Sequence, residues 1–364
     1  MLDDMLTRSH LRTATWTNLG VEVRGKRQRG EISGWSSALG HLAESTIDVA
    51  IQELHWSTIN AVGLPVSAYP VVAITNSQGS LDAPLDTSIA EAARRGAHRA
   101  ANAVHSEGTL IVNGDDPAAV EAAVAASATV TLTSLSRESP NLRYHLSAGG
   151  SAIWMEHDAL VCGDSADVNR LCSAADVACS LDGTVQFQLS NALTAAAIAS
   201  TIGIDADTIA ASLRAFTASP DMLPGSFNTF EVNGYRVHVD GASPSWHLRS
   251  LLRAVNPGNR HRQLTVLGNL EGLPVNDLRE VGRLLGRHKG AIILHSNKDP
   301  VLLDSLRRGI ASNDYPPIVI HLPTERRALN RALKTARTDD VVLILCDADP
   351  GPSLRALRRI EDQA

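Results

Sequence analysis

The chain has 364 residues, 44% hydrophobic and 20% charged, with a formal net charge of −6. That length allows two domains, or three, with real cores. The charge balance excludes a protein drawn to nucleic acid or anionic lipid by overall basic character. Read in chain order, the N-terminal MLDDMLTRSHLRTATW has no apolar core beside a cleavage site, so no signal peptide is expected. No apolar run reaches the length of a membrane span. The first suggestive segment is GVEVRGKR, Gly20 to Arg27, which nearly spells the phosphate-binding pattern G-x-x-x-x-G-K-[ST]. A working P-loop lies between a buried strand and a helix, so that backbone N–H groups and the helix N-terminus face the phosphates. Here TATWTNL before it is too polar for a buried strand, QRGEISGWSS after it is too rich in Gly and Ser to start a helix, and Arg27 replaces the hydroxyl that would hold Mg²⁺. The segment is expected to be a surface hairpin. The basic run RGKRQRG has no aromatic partners and reads as a solvated loop.

Further along, IDVAIQEL, YPVVAITN and GTLIVNGDDP read as buried strands ending in polar loops. TSIAEAARRGAHRAANAVH has helical apolar spacing, with Thr87 or Ser88 as its cap. ATVTLTS predicts a strand, and LRYHLSAGGSAIWMEHDALVCG an antiparallel pair turning at Gly149-Gly150. Two helices follow, NALTAAAIASTIG and DADTIAASLRAF, with Gly203 stopping the first. Pro, Gly and Ser cluster at Thr217 to Asn228, which puts one domain at 1–220 and a second at 221–364. The second has strands at NGYRVHVDG, RQLTVLGN, GAIILHSN, PPIVIHL and DVVLILCD, interleaved with helical segments, as in a Rossmann-like α/β domain. Cys162, Cys172, Cys179 and Cys346 show no C-x-x-C or paired-His spacing. Free buried thiols in a reducing cytoplasm are expected, without a zinc site.

The stretches GTLIVNGDDP, NALTAAAIA, LPGSFNTFEVNGYRVHVDGA, NDLREVGRLLG and TERRALNRALKTARTDDVVLILCD, taken in order, resemble the Mur-ligase family, in particular the Mur-like C-terminal half of cyanophycin synthetases. The resemblance implies an α/β fold: a Mur-ligase-like central α/β domain followed by a Rossmann-like C-terminal domain. It also implies chemistry in which ATP and Mg²⁺ activate an acid as an acyl phosphate for attack by an amine, which needs phosphate positioning and charge neutralisation. The family's P-loop would fall before Met1, and the hairpin at Gly20 to Arg27 matches a family hairpin downstream of it. No lysine lies between Lys26 and Lys289, which removes the phosphate-binding lysine and the carbamylated lysine that many relatives use.

Residue by residue, Glu53 matches the family's magnesium-binding glutamate, and it could equally cap the loop that follows. The Asp-His expected after the next strand has become Gly79 and Ser80, with Asp82 a weak substitute. Asn191 matches an adenine-contacting asparagine, or caps a helix. Ser226 stands where PGRF-type relatives carry arginine. Asp240 matches the aspartate of DYAHNP, whose other positions are now Gly241, Ser243 and Pro244. Asn269 and Leu270 replace the acid and base of GDRR. Asp116 of GDDP is expected to cap the helix that Pro117 begins. His55, and His238 beside Asp240, read as polar strand ends rather than acid–base pairs. Scaffold signals persist, while groups that would touch phosphate, metal or adenine have mostly changed.

The leading expectation is therefore a ligase-derived protein without independent ATP-dependent activity. It would act as a binding, regulatory or assembly partner of a full-length Mur-family or cyanophycin-type synthetase, or as a homo-oligomer, with no nucleic-acid or membrane role. The alternative is an ATP-dependent acid–amino-acid ligase whose nucleotide loop comes from another chain or from a segment encoded upstream. A third is a small-molecule binder using the old cleft.

Overall fold

The computed structural model describes residues 1–77, 87–124, 126–258, 260–268, 270–273, 275–346 and 349–361. The chain divides into two compact units, Met1–Phe216 and Thr217–Ala364. The first unit begins with α1 (Leu2–Arg8), β1 (Thr13–Thr17), β2 (Gly20–Val23), β3 (Lys26–Arg27), α2 (Glu31–Ala43), β4 (Val49–Gln52) and α3 (Trp56–Val62). It continues with β5 (Tyr69–Ile74), α4 (Thr87–Asn102), β6 (Val104–Asn113), α5 (Pro117–Val124), β7 (Thr129–Ser134) and α6 (Pro140–Ser147). The hairpin strands β8 (Ser151–Glu156), β9 (Ala159–Gly163) and β10 (Val168–Ser173), two 3-10 turns, α7 (Gln186–Thr201) and α8 (Ala206–Ala215) complete it.

Two sheets result. A four-stranded sheet has the order β3-β2-β1-β4, and a six-stranded sheet the order β10-β9-β8-β7-β6-β5, parallel from β5 to β8 and antiparallel beyond. The apolar runs in β6 and β7 bury Leu110, Val112 and Leu132 with Trp154, Leu142 and Leu146, as a parallel sheet covered by helices requires.

GVEVRGKR is a hairpin, as its sequence indicates. Glu22 pairs with Arg27 and Val23 with Lys26 across a turn whose two residues, Arg24 and Gly25, both have positive φ (52° and 69°). Its backbone is therefore committed to a ladder. Both neighbours differ from expectation, however: β1 precedes it and α2 follows it. Polar TATWT forms a strand because it pairs on both sides, with β2 and β4. Glycine- and serine-rich α2 forms because packing overrides propensity. It buries Gly34, Trp35 and Ala38, and a Cβ at Gly34 would stand 3.2 Å from that of Val21.

LRYHLS also departs from expectation, being the body of α6, with Pro140 at its first turn. The antiparallel pair is β8–β9, turning at His157-Asp158 rather than at Gly149-Gly150. Leu142 and Leu146 are buried while Tyr144 is 78% exposed, so the four-residue spacing, not the alternation, is the real period.

The second unit contains β11 (Asn228–Val232), β12 (Tyr235–Gly241), α9 (Ser245–Ala254), β13 (Gln263–Leu267), α10 (Val275–Leu285), β14 (Gly290–His295) and α11 (Pro300–Ala311). It ends with β15 (Ile318–Leu322), α12 (Glu325–Thr335), β16 (Val341–Cys346) and α13 (Gly351–Glu361). The sheet order is β11-β12-β16-β13-β14-β15, with β11 the antiparallel member. All six residues of β16 are buried. Val237, Val239, Val266 and Ile344 meet Ala328 and Leu329 of α12 and Leu354 and Leu357 of α13 in one core. Helices α10 and α11 approach so closely that a Cβ on Gly282 would lie 2.1 Å from the Leu306 carbonyl oxygen, and one on Gly309 2.0 Å from that of Arg279. This is an α/β chain whose second unit is Rossmann-like. Among the described residues no helix is long and apolar enough to cross a membrane.

Candidate functional site

Ligands of open α/β sheets gather beyond the carboxyl ends of the parallel strands, where helix N-termini offer free N–H groups and positive potential. In the first unit the parallel strands are β1 and β4 in one sheet and β5 to β8 in the other. Glu53 follows β4 and donates its N–H to the Trp16 carbonyl oxygen at 2.8 Å. Its side chain is exposed and bonds to no loop group among the described residues, so the expected loop cap is not formed. His55 only flanks α3, without a side-chain cap bond.

Asp116 does cap α5, accepting from the N–H of Ala118 at 3.0 Å and of Ala119 at 3.2 Å. It also accepts from Ser77 beyond β5, through the backbone N–H at 2.5 Å and the hydroxyl at 2.8 Å. Next to it, Asp115 accepts from the Ser134 hydroxyl at 2.6 Å and the Leu135 N–H at 2.7 Å. The GDDP turn thus ties together the ends of β5, β6 and β7. Nothing in the sequence pointed to Ser77 and Ser134; both are short polar residues just where an apolar strand stops, the signal that could have found them. Gly79, Ser80 and Asp82 lie outside the described residues.

Asn191 is the sixth residue of α7, not its cap. The helix begins earlier, at Gln186, after a turn in which Leu181 and Asp182 take positive φ. Asn191 is exposed, and its amide donates to Gln188 Oε1 at 3.4 Å.

In the second unit, Asp240 ends β12 and is 8% exposed. Its Oδ1 accepts from the Gly241 N–H at 2.7 Å, and its Oδ2 stands 3.7 Å from His247 Nε2. His238, two residues earlier, belongs to a different group. It stacks on Phe227 with centroids 5.2 Å apart and bonds to Thr229 at 3.0 Å. Burial pushes its pKa down to about 4, helped by nearby Arg236, so the ring is neutral near pH 7. Ser226 is half-buried, its N–H donating to the Leu223 carbonyl oxygen. Leu270 is fully buried, its N–H held by Asn297 Oδ1 at 3.0 Å; Asn269 lies outside the described residues.

The N-terminus of α9 is filled from within. Asp277 of α10 accepts from the Ser245 N–H at 2.6 Å and the Ser245 hydroxyl at 2.5 Å. Asp299 likewise accepts from the Val301 N–H at the start of α11, and Asp349 from the Gly351 N–H at the start of α13. Elsewhere, Cys172, Cys179 and Cys346 are buried and Cys162 half-buried; burial raises the thiols of Cys172 and Cys179 to about 11, which removes nucleophilic character.

No protein-family model matches the chain. It is 25% identical over 326 residues to cyanophycin synthetase of Synechocystis sp. (87% of this chain, 37% of the relative), and 24% identical over 334 residues to that of Geminocystis herdmanii (89% and 38%). The chain therefore spans well under half the length of these relatives. Among solved structures, E. coli FolC in complex with DHPP and ADP superposes over 100% of this chain and 85% of its own, with TM-score 0.68 and 17% identity. MurF ligase of Thermotoga maritima in complex with ADP gives TM-score 0.61 over 100% of this chain and 77% of its own, at 13% identity. The chain is Mur-ligase-like.

The Mur-ligase-like fold carries an expectation of ATP and Mg²⁺, and at the N-termini of α5 and α9 and at the GDRR position the residues present do not fit them. A phosphate at the N-terminus of α5 or α9 would meet Asp116 or Asp277, each already bonded to the N–H groups that an anion would use. Like charge would then replace the positive potential that phosphate binding needs. At the GDRR position a base would have to enter the space that apolar Leu270 fills, and burying an unpaired charge costs several kcal/mol.

Proposed function

We propose that this chain is a Mur-ligase-derived protein without independent ATP-dependent activity, acting as a binding, regulatory or assembly partner. The partner we favour is a full-length synthetase of its own family, because the resemblance to cyanophycin synthetases covers 87–89% of this chain. The observation that carries the reading is Leu270, fully buried where the resemblance places the base of GDRR. Exposed Glu53 just after β4, without a side-chain partner among the described residues, favours the second reading, a ligase completed by a nucleotide loop from another chain or an upstream segment.

Affinity purification of the tagged chain from its native cells, with and without added Mg-ATP, separates the two. Recovery of a synthetase with no ATP turnover by the purified pair beyond that of the synthetase alone supports the partner role. Turnover that appears only when both chains are present, and is lost in Glu53→Gln, supports the split ligase and sinks the leading reading.

A further inference from the structure

The two sheets of the first unit each stop at an open edge. β4 ends one and β5 ends the other, and each is paired on one side only, β4 with β1 and β5 with β6, both in parallel. The chain runs from β4 through α3 into β5, yet the two strands are not hydrogen-bonded to each other. Their carboxyl ends lie together. Trp56, just past β4, donates its indole N–H at 3.2 Å to the carbonyl oxygen of Asn76, just past β5. The two edges therefore run in the same direction.

Helices cover this region from both sides. Asn60 of α3 donates to the Ala92 carbonyl oxygen of α4 at 2.7 Å, and α4 packs on β5 and β6. Leu110 and Val112 of β6 share a core with α4, while the intervening Ile111, also fully buried, points the other way. Helix α7 packs on β5 and β6 as well, and α1 joins α7 to β1. A strand between β4 and β5 would thus be enclosed like the centre of a parallel sheet.

The edges themselves suit such a strand. On β4 the N–H groups of Val49 and Glu53 are spent on Arg12 and Trp16, at the two ends of β1. With the two-residue period of a strand, those of Ala50 and Gln52 face the open side. The apolar residues of β4 (Val49, Ala50, Ile51) and Val71, Val72 and Ala73 of β5 are only half-buried, whereas Leu110, Ile111 and Val112 are fully buried. Proteins blunt exposed edges with charge or proline. Neither β4 nor residues 71–74 carry either; Pro70 stands at the entrance to β5.

We propose that the gap between β4 and β5 accepts one strand of a partner chain, parallel to both, which joins the two sheets into one. The strand it fits is extended, apolar on both faces and rich in β-branched residues; main-chain bonds supply the recognition. The described strands of this chain are all paired in their own sheets, so a second copy has none of them to give. The inference deepens the partner reading and rests on it for the existence of a partner.

Hydrogen exchange of the full chain, resolved to single amides, tests it with and without a soluble probe, the acetylated and amidated peptide KTVIVVTK. In the free chain the Ala50 and Gln52 amides should exchange about 100-fold or more faster than those of Leu110 and Val112 in β6. The peptide should slow Ala50 and Gln52 by about tenfold or more, and the same peptide N-methylated at alternate residues, which lacks the donors of one edge, should not. Ala50→Pro removes an open-edge donor and no ladder bond, so it should melt like the wild type and bind the peptide about tenfold more weakly. The N-methylated peptide decides the matter even where that variant fails to fold. Ala50 and Gln52 amides as protected in the free chain as those of β6 would overturn the proposal, because the edges would then be closed already. So would equal protection by the two peptides, or none by either at millimolar concentration. A synthetase recovered equally by wild type and Ala50→Pro would overturn the strand slot while leaving the partner reading standing.

Discussion

Removing the Asp116 carboxylate tests whether GDDP is a structural latch. It accepts from four donors: the Ser77 N–H and hydroxyl, and the N–H groups of Ala118 and Ala119. Ser77 is 2% exposed, so Asp116→Ala strands donors that water reaches poorly. Loss of the helix cap costs about 1 kcal/mol, and stranding the buried Ser77 donors about 1–3 kcal/mol more, together about 3 kcal/mol. Asp116→Asn keeps one oxygen for α5 but presents an NH₂ group to the Ser77 donors, so it should cost roughly half as much, about 1–2 kcal/mol. With a urea slope of about 2–3 kcal/mol/M, the midpoint of the first unit should fall by about 1 M for Ala and about 0.5 M for Asn. Tryptophan fluorescence can follow this, since Trp16, Trp35, Trp56 and Trp154 all belong to that unit. A loss under about 0.5 kcal/mol for Ala, or equal losses for both variants, would refute the latch, because ordinary surface substitutions fall in that range.

Asp277→Ala should destabilise the second unit by about 2–3 kcal/mol in urea titration, since it leaves the buried Ser245 N–H and hydroxyl without their acceptor. The same variant should acquire stabilisation by millimolar pyrophosphate that the wild type lacks, read as a rise in Tm. His238 is neutral in the fold down to about pH 4, whereas an unfolded histidine takes up its proton near pH 6.5. Between those values the unfolded state binds more protons, so the contribution is full above pH 6.5 and is lost as pH falls toward 4, by at most about 3 kcal/mol. Urea midpoints from pH 7 to 4 should therefore fall less steeply in His238→Gln than in the wild type. Leu270→Arg, which restores the family's basic residue, should lower the urea midpoint by about 3 kcal/mol or more and confer no ATP turnover in a coupled ADP assay.

The sequence made the βα alternation and the Asp116 cap visible because they depend on short patterns: apolar runs such as VVLILC, and Asp before Pro at Asp116-Pro117. It concealed elements that tertiary contacts decide. Helix α2 contains Gly34 and Gly40, poor helix formers, and stands because Trp35 and Ala38 are buried and Gly34 lets Val21 approach. In LRYHL the apolar residues alternate and are also four apart, and only the exposure of Tyr144 separates strand from helix. At the site, Glu53, Asn191 and Asp240 could be placed on elements, but Asn191 was misplaced because α7 starts inside the polar stretch QFQLS. The self-filling of α9 could not be read at all, since Ser245 and Asp277 are 32 residues apart and only the packing of α9 on α10 joins them.

The most direct measurement is a calorimetric titration of the purified chain with Mg-ATP, paired with its melting temperature. The account predicts no binding heat beyond dilution and no change in Tm up to millimolar nucleotide. A saturable isotherm, with Tm rising as the logarithm of ligand concentration, would contradict it.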